Sequence, residues 1–110
     1  MTKTYTLGNS KSQIEAMIPK LVIKKVKVGD RSIALVRIKD DFFAFNSTCP
    51  HRGASLIEGS INGIGEVICP LHSYRFDIKT GQVKSGSCGD LEVFHCELSE
   101  DGLKITLPDQ

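Results

Sequence analysis

Leu21-Val22-Ile23-Lys24-Lys25-Val26-Lys27-Val28 runs into the turn pair Gly29-Asp30 and then into Ser32-Ile33-Ala34-Leu35-Val36-Arg37-Ile38. A polar break, Lys39-Asp40-Asp41, leads on to Phe42-Phe43-Ala44-Phe45. Val22, Val26 and Val28 alternate in part with Lys25 and Lys27, the period of a half-buried strand. The second and third runs are short, rich in β-branched or aromatic residues, and bounded by turn residues. Together they predict three successive antiparallel strands of a meander.

Working outward, further short strands are expected at Gly65 to Cys69, Tyr74 to Ile78, Gln82 to Ser85, Leu91 to Glu97 and Leu103 to Leu107. The step Lys79-Thr80-Gly81 suits a hairpin turn, because glycine takes positive φ at no steric cost. Only Ser10 to Ile18 carries a helical signal, with Ser12 and Glu15 spaced as a capping box and Pro19 as the stop. Many short strands with frequent turns predict an all-β, small antiparallel β-sandwich or barrel. With 110 residues and no internal repeat, low-complexity tract or linker, residues 1–110 read as one domain.

Composition narrows the function. Lys plus Arg number 14 against 13 Asp plus Glu, a formal net charge of +1, and there is no basic block, so a nucleic-acid partner is not expected. No stretch approaches the roughly 20 apolar residues that span a bilayer, and Met1 to Ser10 lacks the apolar core of a signal peptide. The expectation is a soluble, cytoplasmic protein that does not bind membranes. In that reducing compartment four cysteines are expected as ligands or free thiols.

Two segments carry chemistry: Thr48-Cys49-Pro50-His51-Arg52-Gly53 and Ile68-Cys69-Pro70-Leu71-His72-Ser73. Each places a Cys and a His within three positions, with Pro directly after the Cys, and 17 residues separate His51 from Cys69. Two thiolates and two imidazoles suit either zinc or an iron–sulfur centre. Zinc fingers of the Cys2His2 type pair Cys with Cys and His with His along the chain. Here each loop supplies one of each, which suits a dinuclear centre whose irons differ in ligands. Pro50 and Pro70 stiffen the loops by fixing φ. Gly53 and Ser73 are small enough to let backbone N–H groups approach a cluster.

Cys-x-His, 17 residues and Cys-x-x-His, together with Cys69-Pro70-Leu71-His72-Ser73-Tyr74-Arg75-Phe76-Asp77, resemble the Rieske ferredoxins over about Leu21 to Leu107. The resemblance implies the Rieske fold, with a cluster-binding subdomain of about residues 46–86 formed by two loops. It also implies one [2Fe–2S] cluster per chain, with Cys49 and Cys69 on one iron and His51 and His72 on the other. Two ferric ions, two sulfides and two thiolates sum to a neutral oxidised centre. An electron is added to it at less cost than to a four-thiolate cluster, so histidine ligation raises the potential.

High-potential Rieske proteins of respiratory complexes resemble this chain in their ligands but add a loop disulfide, where Ala54 and Leu71 stand here. Their sulfur-directed Ser and Tyr are matched here by Tyr74 and Phe76, and Phe offers no donor. The expected potential lies at the lower end of the Rieske range, on the order of −150 mV.

Arg52-Gly53 resembles the Rieske domains of ring-hydroxylating oxygenases, which also need a mononuclear iron held by two His and a carboxylate. The chain has three histidines, and the cluster would leave only His95, so that second site cannot be built here. The implied role is a one-electron carrier, not itself an enzyme, between a flavoprotein reductase and a terminal oxygenase. The alternatives are a small subunit of an assimilatory nitrite reductase-like complex, or a zinc-stabilised binding module. Arg52 and Arg75 flank the two loops; either alone reads as solvated surface charge, and the two together could steer an acidic redox partner. Cys88 falls where similar ferredoxins carry a shielding Pro loop, here without proline, and is expected, like Cys96, as a free thiol. His95 is expected on a strand surface.

Imidazole ligands make the potential sensitive to pH, because ferric iron acidifies the ring N–H left uncoordinated. The predicted potential is flat near neutral pH and falls in alkaline solution. Voltammetry with no slope into strong alkali contradicts this.

Overall fold

The computed structural model describes residues 2–50 and 53–108. Among these residues ten strands, one helix and a single 3-10 turn follow in the order β1 (Thr2–Leu7), α1 (Lys11–Met17), β2 (Lys24–Val28), β3 (Arg31–Ile38), β4 (Asp41–Asn46), the 3-10 turn Leu56–Glu58, β5 (Ser60–Ile61), β6 (Glu66–Ile68), β7 (Arg75–Asp77), β8 (Val83–Ser85), β9 (Val93–Ser99) and β10 (Gly102–Pro108). A six-stranded sheet, in the order β1-β10-β9-β4-β3-β2, curls into a half-barrel, and β5-β6-β7-β8 form a second sheet. Every pairing within them is antiparallel. The all-β expectation holds.

The apolar run of β3 explains how the two sheets are stacked. Ile33 and Leu35 enter a core with Ile14 and Ile18 of the helical segment, Phe42, Phe94 and the β10 residues Leu103, Ile105 and Leu107. Ala34 and Val36 point the other way, into a second core with Phe45, Val67, Phe76, Ile78 and Leu91. A strand covered on both faces reads as a continuous apolar run instead of an alternating one, which is why Ile33-Ala34-Leu35-Val36 shows no alternation. β4 divides its side chains likewise, with Phe42 and Ala44 in the first core and Phe45 in the second.

Helix α1 forms, but its cap lies two residues earlier than expected. Ser10 is the N-cap, and its hydroxyl accepts from the Gln13 N–H at 3.1 Å while Gln13 Oε1 accepts from the Asn9 N–H at 2.7 Å. The Ser-x-x-Gln pair therefore outcompetes Ser12 and Glu15, which lie inside the helix. Strand β2 starts at Lys24, three residues later than the apolar pattern, because Leu21 takes φ 63° and its N–H goes to the Arg37 carbonyl instead. Strands β1 and β5 were not expected. The first alternates threonines with Lys, Tyr and Leu on a mostly exposed edge, and the second is two residues long.

Gly81 confirms the predicted turn. Its φ is +81°, and a Cβ there would meet the Leu91 carbonyl oxygen at 1.9 Å. No helix among the described residues is long and apolar enough to cross a membrane.

Cys96 packs against the first core as expected of a small apolar residue, and its thiol donates to the Phe42 carbonyl at 3.0 Å. Burial raises its pKa from 9.0 to about 12 although an Ala44 backbone hydrogen bond opposes this. The folded state thus holds that proton after the unfolded chain has released it, so its contribution to stability is complete below pH 9 and is lost as pH rises towards 12. Urea unfolding of wild type and Cys96→Ala is expected to show wild type losing its stability relative to the variant across that window. A gap independent of pH contradicts the assignment.

Candidate metal centre

The two loops that carry the Cys and His residues are closed by the same backbone device. Cys49 donates its N–H to the Ala54 carbonyl, and Cys69 donates its own to the Tyr74 carbonyl, both at 2.8 Å and both spanning five residues. Strand β4 feeds the first loop, which a bridge between Thr48 and Ser55 and the Leu56 N–H to Ser47 carbonyl bond then fasten. The second loop is the tip of the β6–β7 hairpin, set by the pairing of Ile68 with Arg75.

Four residues after each cysteine the chain takes the left-handed conformation, at Gly53 (φ +72°) and at Ser73 (φ +56°). A Cβ on Gly53 would meet nothing within 4 Å, so conformation and not space favours glycine there. Ser73 holds the same conformation with a side chain, and His72 before it has φ +66°. Two consecutive non-glycine residues at positive φ are a cost that surroundings must hold in place, the kind of strain found where side chains are aimed for function.

Burial separates the residue types. Cys49 and Cys69 are 2% and 1% exposed and belong to the second hydrophobic core, with Phe45, Leu56, Val67 and Phe76. The two thiols lie side by side, and Cys49 hydrogen-bonds to Cys69. Burial pushes the Cys69 thiol up, a backbone hydrogen bond from Leu71 lowers it, and the Cys49 and Cys88 thiols raise it further. His72 is exposed, as are Pro50, Pro70 and Leu71 around it. A pair of thiols thus sits at the dry end and an imidazole at the wet rim. His51 and Arg52 lie outside the described residues.

Among the described residues no three His, Cys, Asp or Glu side chains converge closely enough for one metal ion. Cys49 and Cys69 meet, and His72 does not join them at a single point. The Leu71 N–H on the Cys69 sulfur is a donor of the kind that stabilises a coordinated thiolate.

Other expectations change in detail. Arg75 does not stand as an unpaired cation beside the loop, since its Nη1 lies 3.6 Å from Glu66 Oε1. Glu66 is 8% exposed and also accepts from Asn62 Nδ2 at 2.7 Å. Phe76 is fully buried, and the Tyr74 hydroxyl lies 3.3 Å from Ser87 Oγ on the third loop, at residues 86–90. His95 is exposed on β9, and all four cysteines are free, Cys88 and Cys96 included. Sequence reasoning missed the Leu71 donor and the approach of Cys88 to the paired thiols. Nothing in a linear pattern marks either, because both arise from how the loops close.

The Rieske [2Fe-2S] domain profile matches residues 11–96. Ferredoxin CarAc of Metapseudomonas resinovorans is 38% identical over 86 residues, covering 76% of this chain and 78% of that protein. Among solved structures, a chain in the complex of reduced oxygenase and oxidized ferredoxin in carbazole 1,9a-dioxygenase superposes with a TM-score of 0.75 at 30% identity, over 93% of this chain and 91% of that one. A Mycobacterium tuberculosis protein described as an NADH-dependent nitrite reductase small subunit has the same fold, with a TM-score of 0.80 at 16% identity over 100% of this chain and 99% of that one. By its paired loops, its buried thiols and this match, the chain belongs to the Rieske [2Fe-2S] domain family, and its cofactor is a [2Fe–2S] cluster of that kind.

Proposed function

We propose that Cys49 and Cys69 hold one iron of the cluster and His51 and His72 the other, within a cluster-binding subdomain of residues 46–86 in a single domain of residues 1–110. We further propose that the chain carries single electrons from a flavoprotein reductase to a terminal oxygenase in the cytoplasm. The observation that carries the ligand assignment is the pair of buried, touching thiols at the base of two matching loops. The cluster supplies a one-electron couple. The chain's own residues do the remaining work. Phe45, Leu56, Val67 and Phe76 keep water from the thiolate end, and the Leu71 N–H compensates charge on Cys69. The exposed His72 edge gives a partner its nearest approach, with Leu71, 39% exposed, as an apolar contact beside it.

The likeness to a ferredoxin that is seen in complex with an oxygenase supports the oxygenase partner. The fold shared with the nitrite reductase small subunit supports a second reading, permanent residence in a reductase complex. Co-purification and gel filtration from native extract separate the two. A carrier comes away alone, and a subunit stays with its enzyme.

Replacing Cys49, His51, Cys69 or His72 by Ala is expected to remove iron and abolish electron transfer from reductase to oxygenase. His95→Ala should leave both far short of the roughly 10- to 100-fold loss typical of altered outer-sphere partners at metal sites. Iron and acid-labile sulfide analysis with stopped-flow transfer checks this. Full loading in Cys49→Ala contradicts the ligand assignment.

A further inference from the structure

The charge of this chain is balanced overall but divided along its length. Residues 1–39 hold nine of the 14 Lys and Arg and only two of the 13 Asp and Glu. The arginines among the described residues are neutralised within the molecule. Arg31 lies 2.6 Å from Glu92, Arg37 lies 3.3 Å from Asp40 and 3.7 Å from Glu15, and Arg75 lies 3.6 Å from Glu66. Lys20, Lys24, Lys25 and Lys27 differ. All four are exposed, and none of them forms an ion pair among the described residues.

These lysines follow one sheet edge. Strand β2 is the last of the six-stranded sheet, so among the described residues no strand flanks its outer side. Its pairing with β3 sets Lys25 opposite Ala34 and Lys27 opposite Ser32. Residues directly opposite one another share a face, and Ala34 belongs to the core that holds Cys49 and Cys69. Lys25 and Lys27 therefore stand on the face of the sheet that carries the ligand loops. The Ser32 carbonyl accepts from Ser47 Oγ at 3.4 Å, two residues before Cys49. One end of the lysine row thus lies beside the first ligand loop.

The same edge begins with two apolar residues. Leu21 is 58% exposed and Val22 43%. Leu21 takes φ 63°, and its N–H donates to the Arg37 carbonyl at 2.8 Å. A bulky side chain is thus held in a costly conformation on the surface, where it buries little. Apolar area with charge around it is the anatomy of a contact surface. Lysines on an edge strand also keep a second copy of this chain from pairing there, because like charges meet. The same charges attract a surface of opposite sign and orient it before contact.

We propose that the β2 edge, from Lys20 to Lys27, docks an acidic redox protein. The lysines steer its carboxylates, Leu21 and Val22 supply apolar contact, and the partner comes to rest against the first ligand loop. The steering role passes from Arg75, whose charge Glu66 holds, to this edge. The proposal rests on the reading of the chain as an electron carrier.

The test is stopped-flow electron transfer on the holoprotein, from its reductase and to its oxygenase, over a series of salt concentrations. Wild type is compared with a β2 variant carrying Lys24→Glu, Lys25→Glu and Lys27→Glu. A control carries Lys11→Glu, Lys79→Glu and Lys104→Glu, exposed positions that give the same net charge elsewhere. Iron, sulfide and midpoint potential are measured on each, so that a damaged centre is not mistaken for lost docking. With one of the two partners, the β2 variant is expected to lose about tenfold or more in second-order rate at low salt, as electrostatic steering does. The gap should close at high salt, where the charges are screened. The control should keep the wild-type rate. Glutamine at the same three β2 positions should give a smaller loss in the same direction, which keeps the test decisive where three glutamates disturb the strand. Equal losses in the β2 variant and the control would mean that only net charge matters, and no loss with either partner would mean that the edge does not dock. Either result overturns the proposal. Wild-type binding to phosphatidylserine vesicles that the β2 variant lacks, with transfer unchanged, would give the edge to a membrane surface and overturn it too. A wild type that exchanges electrons with neither partner overturns the carrier reading itself, and that result is seen without any variant.

Discussion

Two thiols that touch in a dry place are the constraint around which this molecule is arranged. Cys49 and Cys69 belong to loops 20 positions apart, and each is almost wholly buried. Unmetallated, such a pair is two weak donors in an apolar core, and burial alone pushes Cys69 away from the thiolate form. Metal ligation requires the thiolate. A backbone N–H from Leu71 opposes that rise, and under the proposed ligand assignment iron would supply the counter-charge.

Those thiols are held where they are by the double-faced strand beneath them. Ile33 and Leu35 anchor β3 in the half-barrel, and Ala34 and Val36 form the floor on which the second sheet rests. Strand β4 then continues directly into the Cys49 loop, and the β6–β7 hairpin brings Cys69 over the same floor. The half-barrel is thus a platform and the smaller sheet a clamp. His72 lies exposed at the outer rim, and the two thiols lie inward of it.

Much of this was legible in the residues. The run Ser32 to Ile38 marked a strand of the meander, though its burial on both faces came only with the structure, and Gly53 and Ser73 were marked as small loop residues, though not as left-handed positions. The turn at Gly81 followed from its residue type. What stayed hidden depends on geometry that no local pattern carries. Strand β1 exists because β10 offers it a partner along its whole length, from Thr2 opposite Pro108 to Leu7 opposite Leu103, and its own residues are mostly exposed. Arg75 read as surface charge, and its pairing with Glu66, nine positions earlier and across the hairpin, could not be seen in the sequence. Cys88 packs against the core that holds the two thiols, in a loop whose Gly86 and Ser87 lie on Tyr74. Helix capping was missed by two residues because two Ser-x-x-acceptor frames overlap, and only the backbone chooses between them.

The central claim is that the two irons have unlike surroundings, one bound by Cys49 and Cys69 and the other by His51 and His72. Mössbauer spectroscopy of the 57Fe-enriched, one-electron-reduced protein tests it most directly. The account predicts two distinct iron environments, with the ferrous signal on the histidine-ligated iron and the ferric signal on the sulfur-ligated one. Two indistinguishable irons, or ferrous character on the thiolate-bound iron, would contradict it.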